Sequence, residues 1–259
     1  MAAAIVKKVM GPITFLGEFF ALSADAFRGM AVWPFQWREF IDQCWFIVRV
    51  SLVPTLLVAL PFTALISFTF NILAAEFGAS DIAGAGATLG AVTQVGPVVT
   101  VLVVAGAGAT AICADLGSRT IREEIDAMEV LGIDPIVRLV SPRILASMLV
   151  ALLLNALVCT IGIVGSFIFS VFFQNVTPGA FVDGIPLLTG LPELVISEAK
   201  AGAFGLIAAL IACYRGLTVK GGPKSVGQAV NETVVYAFMA LFVVNVVMTA
   251  VGIKMTAGR

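Results

Sequence analysis

The chain has 259 residues, of which 60% are apolar and only 12% are charged, and its mean hydropathy is +1.07. Soluble domains carry roughly 25% charged residues, so this composition excludes a soluble globular protein and predicts an all-α integral membrane protein. The net charge of −1 argues against a nucleic-acid partner, and the absence of histidine removes the commonest proton shuttle and metal ligand.

The N-terminal region, residues 1–43, mixes aromatic and charged side chains instead of being apolar throughout. No secretory signal peptide is evident, because Gly11 and Pro12 interrupt the apolar run that follows Lys7 and Lys8. Aromatic residues beside charges suit the lipid headgroup layer, so we predict a helix that lies in the membrane interface. The alternative is a soluble helix packed on the rest of the protein.

Five apolar segments follow, each near or above the roughly 20 residues that a bilayer requires. The predicted spans are residues 46–75, 97–116, 144–173, 194–214 and 233–253. Pro54 and Pro61 interrupt the first span, and such prolines are tolerated where neighbouring helices satisfy the freed backbone groups. The four cysteines lie in or beside these segments without metal-ligand spacing, so we interpret them as small core residues.

The basic residues predict the orientation of the spans. Most of them precede span one or lie between spans two and three and between spans four and five, whereas Lys254 and Arg259 follow span five and are a minority against the rule. The connections at residues 76–92 and 174–192 contain none. By the positive-inside rule, the N-terminus and the segment between spans two and three are predicted to be cytoplasmic and the C-terminus external.

Charged residues return in a group between spans two and three. A helix over residues 120–132 would have one apolar stripe and one charged side. The stripe contains Ile121, Ile125 and Met128, and the charged side contains Arg122, Asp126 and Glu129. Arg122 and Asp126 are four residues apart and are predicted to pair. Gly132 and Pro135 are predicted to end the helix.

Such a helix either lies on the inner leaflet or docks in a groove on a soluble partner. Its charges are mainly acidic, and anionic lipid would repel them, so docking is favoured. The candidate coupling residues are Arg122, Glu123, Glu124, Asp126, Met128, Glu129, Gly132 and Asp134. The sequence contains no GxxxxGK[ST] motif, so an ATPase that drives this segment would be a separate chain.

Glu198 and Lys200 lie inside the fourth apolar segment. A charge at the centre of a bilayer costs about 2.5–3.5 kcal/mol on insertion scales, so their presence predicts a water-accessible pocket or mutual pairing. Snorkelling to the outer interface is an equal alternative. Without histidine the chain has no Ser/His or Cys/His pair, and no catalytic residue, metal or bound cofactor is predicted.

Several segments together resemble the MlaE/YrbE permease family. They are Val103–Gly106, Ala109–Gly117, Glu123–Pro135 and Leu139–Arg143, and the match covers most of residues 90–235. The string EEIDAMEVLGIDP is its most specific part. The later stretch GLTVKGGPKSVG is most similar to the YrbE proteins that are encoded with actinobacterial Mce proteins.

This resemblance implies a permease subunit of an ABC-type lipid transporter. Two copies, or two YrbE paralogues, would form a homo- or heterodimer in the plasma membrane. Each would offer its coupling helix, here residues 122–134, to an ATPase dimer that binds ATP. Mce-domain lipid-binding proteins would carry the cargo outside. In the actinobacterial branch the implied cargo is fatty acids, mycolic acids or sterols, and the implied direction is import.

One departure from the family pattern concerns the start of span two. Many relatives carry Arg-Glu just before the Gly-Pro at this point, whereas this chain has Thr93 and Gln94 before Gly96. The absence of the two charged residues fits a heterodimer or a less polar cargo. Lys200 aligns with a lysine near the family's lipid cavity, so the candidate lipid-pathway residues are Gln94, Glu198 and Lys200. Two alternative functions remain. One is an ion-coupled secondary transporter that uses Glu198 and Lys200, and the other is a membrane anchor for envelope proteins.

Overall fold

The computed structural model describes residues 2–31, 35–78, 83–174 and 176–256, and these ranges form α-helices with no β-strand. The helices are α1 (Ala2–Met30), α2 (Trp37–Glu76), α3 (Ala83–Gly90), α4 (Gly96–Val103), α5 (Ala109–Ile121), α6 (Glu124–Val130), α7 (Ser141–Gln174), α8 (Pro178–Leu188), α9 (Leu191–Leu217) and α10 (Pro223–Thr256). Three π-helical segments, Ala91–Val95, Val104–Gly108 and Ile136–Val140, join α3 to α4, α4 to α5 and the α6 turn to α7.

Five stretches within these ranges are long and apolar enough to cross a membrane, which confirms the predicted class of all-α membrane protein. They are Trp37–Ala74, Gly84–Ile121, Ile136–Phe173, Leu191–Leu217 and Pro223–Gly252. The first begins at Trp37 instead of residue 46, and the second at Gly84 instead of residue 97. The helices extend beyond the predicted apolar segments because hydropathy marks only the apolar part of a helix, whereas backbone hydrogen bonds continue it into more polar sequence.

The two connections that lack basic residues are also helical in part. Residues 83–90 form α3, and residues 178–188 form α8 and lie against it. A Cβ atom on Gly84 would lie 2.7 Å from the Phe181 ring, so only glycine allows this approach. Phe181 is itself almost fully buried. This helix pair covers the end of the molecule opposite α6.

Helices α2 and α7 run parallel and pack through a line of small polar residues. Ser67 and Ser166 share a hydrogen bond of 2.5 Å between their hydroxyls, and Asn71 Nδ2 donates to Ser170 Oγ at 3.0 Å. Pro54 and Pro61 lie inside α2 without ending it. Interhelical hydrogen bonds of this kind hold helices together where the surrounding lipid supplies no hydrophobic drive.

Helix α1 packs one face on the protein. Ser141 Oγ donates to the Ala26 carbonyl at 2.9 Å, and a Cβ on Gly29 would lie 2.5 Å from the same hydroxyl oxygen. Beside this packed face, the apolar side chains of Leu16, Phe20 and Phe27 are exposed. These side chains are available for an apolar contact, and the place of α1 in the membrane interface stays a prediction.

Candidate functional site

The charged segment does not form the single helix predicted over residues 120–132. Helix α5 continues to Ile121, the chain turns at Arg122 and Glu123, and α6 begins at Glu124. Glu123 has φ 58° and ψ 19°, a left-handed conformation that costs a non-glycine residue about 1–2 kcal/mol. The turn redirects α6 away from the α5 axis, which lets Ile125 reach the core, where it is 7% exposed. Burial of this side chain offsets the backbone strain.

The turn also changes the ion pair predicted for this segment. Arg122 Nε lies 3.0 Å from Glu124 Oε1, so it pairs with Glu124 and not with Asp126. The predicted i,i+4 pair requires one continuous helix, and the left-handed residue between the two helices removes that geometry. Asp126 and Glu129 are exposed, while Met128 packs partly against the core. The charged side of α6 therefore faces away from the rest of the chain.

The end of α6 presents an apolar tip, which we define as Val130 and Leu131. Val130 is 88% exposed and Leu131 is 74% exposed. Gly132 follows with φ 74°, and its amide donates to the Glu129 carbonyl at 2.9 Å. Asp134 Oδ1 then accepts from the Ile136 amide at 2.8 Å and starts the next helical segment. The sequence pattern did not predict this tip.

A polar clamp fixes the base of this segment to two other helices. Arg143 on α7 is fully buried and forms an ion pair with Asp115 on α5. Asp115 Oδ2 also accepts from Arg119 Nε at 3.2 Å. Thr120 Oγ1 donates to the Gly216 carbonyl on α9 at 3.2 Å. The C-terminal part of α5, from which the chain turns into α6, is therefore bonded to both α7 and α9.

Sequence reasoning missed this clamp. The available signal was an acidic and a basic residue lying close to the ends of two predicted spans. Arg143 Nε and Nη1 are buried without a hydrogen-bond partner among the residues that the structure describes. The ion pair with Asp115 therefore compensates the buried charge of the guanidinium group.

Glu198 and Lys200 point to different helices and do not pair. Lys200 is buried, and its Nζ donates to Thr249 Oγ1 on α10 at 2.9 Å. Glu198 Oε1 accepts from Asn155 Nδ2 on α7 at 3.0 Å. Residues two positions apart lie on nearly opposite sides of a helix, which excludes the predicted mutual pairing.

Asn155 is the centre of a hydrogen-bonded cluster inside the spans. It is fully buried, its Nδ2 also donates to Ser197 Oγ at 3.0 Å, and its Oδ1 accepts from Thr100 Oγ1 at 3.4 Å. Ser197 Oγ in turn donates to the Val92 carbonyl at 2.9 Å. Val92 lies in a π-helical segment, a distortion that is frequent at functional sites. We call Asn155, Ser197, Thr100 and Glu198 the mid-span cluster.

The mid-span cluster contains only one of the three predicted lipid-pathway residues. Gln94 is exposed on the π-helical segment Ala91–Val95, and neither Glu198 nor Lys200 donates to it or accepts from it. Sequence reasoning missed Asn155, although an asparagine in an otherwise apolar stretch was a usable signal. Its partners could not be found, because they come from two other helices.

A separate apolar cavity of about 520 Å³ lies between the α1–α2 corner and α7. Its walls include Met30, Phe35, Trp37 and Phe40 on one side and Met148 and Leu152 on the other. It has the apolar lining that suits an acyl chain, and it lies apart from the polar residues of the mid-span cluster.

Five candidate spans, a surface segment clamped at its base and polar side chains inside the spans define a multi-span helical membrane protein. The family described as Permease MlaE matches residues 40–251. The chain therefore belongs to the MlaE family of ABC transporter permeases, as its sequence predicted. In such transporters the permease is the membrane-spanning, non-catalytic subunit, which fits the expectation that the chain is not an enzyme.

Three relatives illustrate the range of the family. The chain is 32% identical over 169 residues to a probable ABC transporter permease protein of Synechocystis, covering 65% of this chain and 64% of the relative. It is 31% identical over 157 residues to the chloroplastic protein TRIGALACTOSYLDIACYLGLYCEROL 1 of Arabidopsis thaliana, covering 61% and 45%. It is 27% identical over 177 residues to the intermembrane phospholipid transport system permease protein MlaE of Haemophilus influenzae, covering 68% of both. The match spans less than two thirds of the first two relatives.

Proposed function

We propose that the chain is the membrane subunit of an ATP-driven lipid transporter and that a separate ATPase dimer binds residues 122–134. The observation that carries the proposal is the combination of an exposed apolar tip with exposed acids on a segment whose base is clamped. A segment that only rested on the membrane would not need to transmit force. A segment gripped by a moving partner needs a surface to hold and a rigid connection to the spans.

The chemistry of the segment defines the partner surface. Val130 and Leu131 would enter an apolar pocket, and burying each side chain is worth about 1.5–3 kcal/mol. Asp126 and Glu129 would face basic residues at the pocket rim, where opposite charges mainly set orientation and association rate. The proposed partner therefore has a groove with an apolar floor and a basic rim, and it supplies the ATP site.

The cargo and assembly extend this proposal. A second YrbE-type permease, either the same chain or a paralogue, would complete the membrane unit. Mce-domain proteins would pass fatty acids, mycolic acids or sterols inward through the envelope. The support for this branch is the resemblance of GLTVKGGPKSVG to actinobacterial YrbE proteins, and lipid cargo in general is supported by the phospholipid transport named for the Haemophilus relative. The plasma membrane, with a cytoplasmic N-terminus and external C-terminus, is the proposed location.

Charge reversal on the segment tests the docking step. In the double variant Glu123→Lys with Asp126→Lys, we expect loss of ATPase co-purification with the tagged chain from solubilised membranes, with membrane insertion unchanged. The matched control is Glu76→Lys with Asp183→Lys, which makes the same charge change at exposed positions of the opposite end. If the first variant retained its ATPase, or if both lost it equally, residues 122–134 would not be the docking surface.

The ion-coupled alternative has less support than the ATP-driven one. It depended on a charge pair formed by Glu198 and Lys200, and these side chains bond to different helices. The two proposals differ in what drives uptake of a labelled lipid into vesicles that contain the complex. Uptake that follows an ion gradient and continues without ATP would favour the secondary transporter.

A further inference from the structure

The mid-span cluster holds a carboxylate deep within the apolar part of the chain. Asn155 lies near the middle of the candidate span Ile136–Phe173, and it bonds directly to Glu198. Glu198 therefore contacts the middle of α7, although it lies in the first third of its own candidate span, Leu191–Leu217. An ionisable side chain within a candidate span marks a ligand or ion pathway by default, because its burial is costly.

The Glu198 carboxylate is held at one oxygen and open at the other. Oε1 accepts from Asn155 Nδ2, whereas none of the hydrogen bonds found in the described part of the chain uses Oε2. No ion pair in those ranges includes Glu198 either, and the side chain is only partly buried. The open oxygen is an acceptor without a protein donor.

The rest of the cluster fixes where this oxygen points. Asn155 Oδ1 accepts from Thr100 on α4, and its Nδ2 donates to both Ser197 and Glu198 on α9, so two other helices hold the amide. Ser197 is anchored in turn by the Val92 carbonyl. Such a preorganised acceptor loses little conformational freedom when a ligand binds.

The neighbouring positive charge does not compensate for the carboxylate. Lys200 Nζ is directed to Thr249 on α10, and the lysine is 4% exposed, so its ammonium is withdrawn from the side where Glu198 lies. The charge that this part of α9 leaves partly accessible is therefore negative. A ligand with a carboxylate head would meet an acceptor of like charge there.

We propose that Glu198, oriented by Asn155, selects lipids whose head group donates a hydrogen bond over lipids whose head is a carboxylate. This inference rests on the proposed lipid transport and narrows its cargo. Among the cargo classes considered, sterols carry a hydroxyl donor, whereas fatty and mycolic acids carry a carboxylate. Asn155 is a positioning residue in this assignment, and Glu198 is the residue that contacts the head group.

The test uses a series of ligands that share one 16-carbon chain and differ only in the head. A diazirine-labelled 16-carbon alcohol is photo-crosslinked to the full-length chain in its purified complex, and the labelled peptides of α9 are quantified. Hexadecylamine, hexadecanol, hexadecyl methyl ether and palmitate then compete. We expect the amine and alcohol to compete about ten-fold better than palmitate, the size of a hydrogen bond to a charged group. The ether, which cannot donate, should compete poorly.

Three variants assign that preference to the carboxylate. Glu198→Gln and Asn155→Leu should each reduce the preference for the amine over palmitate to about two-fold. The first removes the negative charge of the acceptor, and the second removes the hydrogen bond that orients it. Glu193→Gln is the matched control, since it makes the same change on the same helix at the Gly190 cap and should retain the preference. Glu198→Asp should restore part of it. Should Asn155→Leu fail to insert, the two Glu198 variants carry the test.

Equal competition by all four ligands, or an unchanged preference in Glu198→Gln, would overturn the inference. The outcome is separable from that of the proposed function, because crosslinking needs no ATP. A complex that transports lipid but shows no head-group preference contradicts only the inference. A complex that shows the preference but no ATP-dependent transport contradicts only the proposed function.

Discussion

Two regions of the molecule place charge among apolar helices, and they do so in opposite ways. At the base of the α6 segment, buried Arg143 is paired with Asp115, and Arg119 also bonds to this carboxylate. In the mid-span cluster, Glu198 accepts a single hydrogen bond and has no cationic partner in the ranges that the structure describes. A charge that is paired by protein holds helices together, whereas an unpaired one is available to a ligand. This contrast separates the clamp from the proposed recognition site.

The largest expected effect is the loss of the clamp. Arg143→Leu should destabilise the chain by up to about 3 kcal/mol, the lower end of the range for breaking a buried ion pair. The effect stays at that end because Arg119 still bonds to Asp115, and the Asp115 side chain is 30% exposed and can be partly solvated. The measurement is the thermal unfolding midpoint of the purified chain in detergent.

The exposed pair of Arg28 and Asp25 provides the control for that experiment. Their side chains are 82% and 51% exposed, so Arg28→Leu should change stability by at most about 1 kcal/mol. Equal losses in both variants would show that the clamp is an ordinary surface pair and would remove the contrast between the two regions.

The next effect concerns the apolar tip that the clamp supports. Val130→Ser should weaken ATPase binding by about 1.5–3 kcal/mol, since the side chain is exposed in this chain and would be buried by the partner. The binding constant of the purified partners is the measurement. Phe77→Ser removes an apolar side chain that is 82% exposed at the opposite end and should leave binding unchanged. A similar loss in both variants would contradict docking at the tip.

A steric change tests the mid-span cluster from the neighbouring helix. A Cβ on Gly96 would lie 2.8 Å from Cys159 Sγ and 2.9 Å from Asn155 Oδ1. Gly96→Ala should therefore cost about 1–3 kcal/mol of stability, as overpacking does, and should reduce the head-group preference by displacing Asn155. Gly106→Ala is the matched control, because its Cβ would meet nothing within 4 Å. A preference that survives Gly96→Ala would mean that Asn155 does not orient Glu198.

The smallest expected effect is at the contact between α5 and α9. Thr120→Val keeps the shape of the side chain but removes the hydroxyl that donates to the Gly216 carbonyl, at a cost of about 0.5–1.5 kcal/mol. We expect a small drop in the unfolding midpoint and a larger drop in lipid-stimulated ATPase activity. Thr160→Val removes an exposed hydroxyl bonded only within its own helix and should change neither. Equal ATPase activity in the two variants would show that Thr120 has no role in coupling.

The sequence by itself determined the number of candidate spans, the position of the charged segment between the second and third of them, and the presence of Glu198 and Lys200 within the fourth. These features depend on hydropathy and on the order of residues along the chain, which are local properties. The family followed from the same local information, since the string around residues 123–135 is contiguous.

Only the tertiary structure decided which polar groups meet. The left-handed turn at Glu123 depends on Ile125 reaching a core built by other helices, and no periodicity of the segment reveals that core. Asn155 bonds to Glu198, a residue 43 positions away, and helix packing directs Lys200 to a third helix. A hydrogen bond between distant residues is decided by how helices are positioned against one another, and one helix read alone does not carry that information.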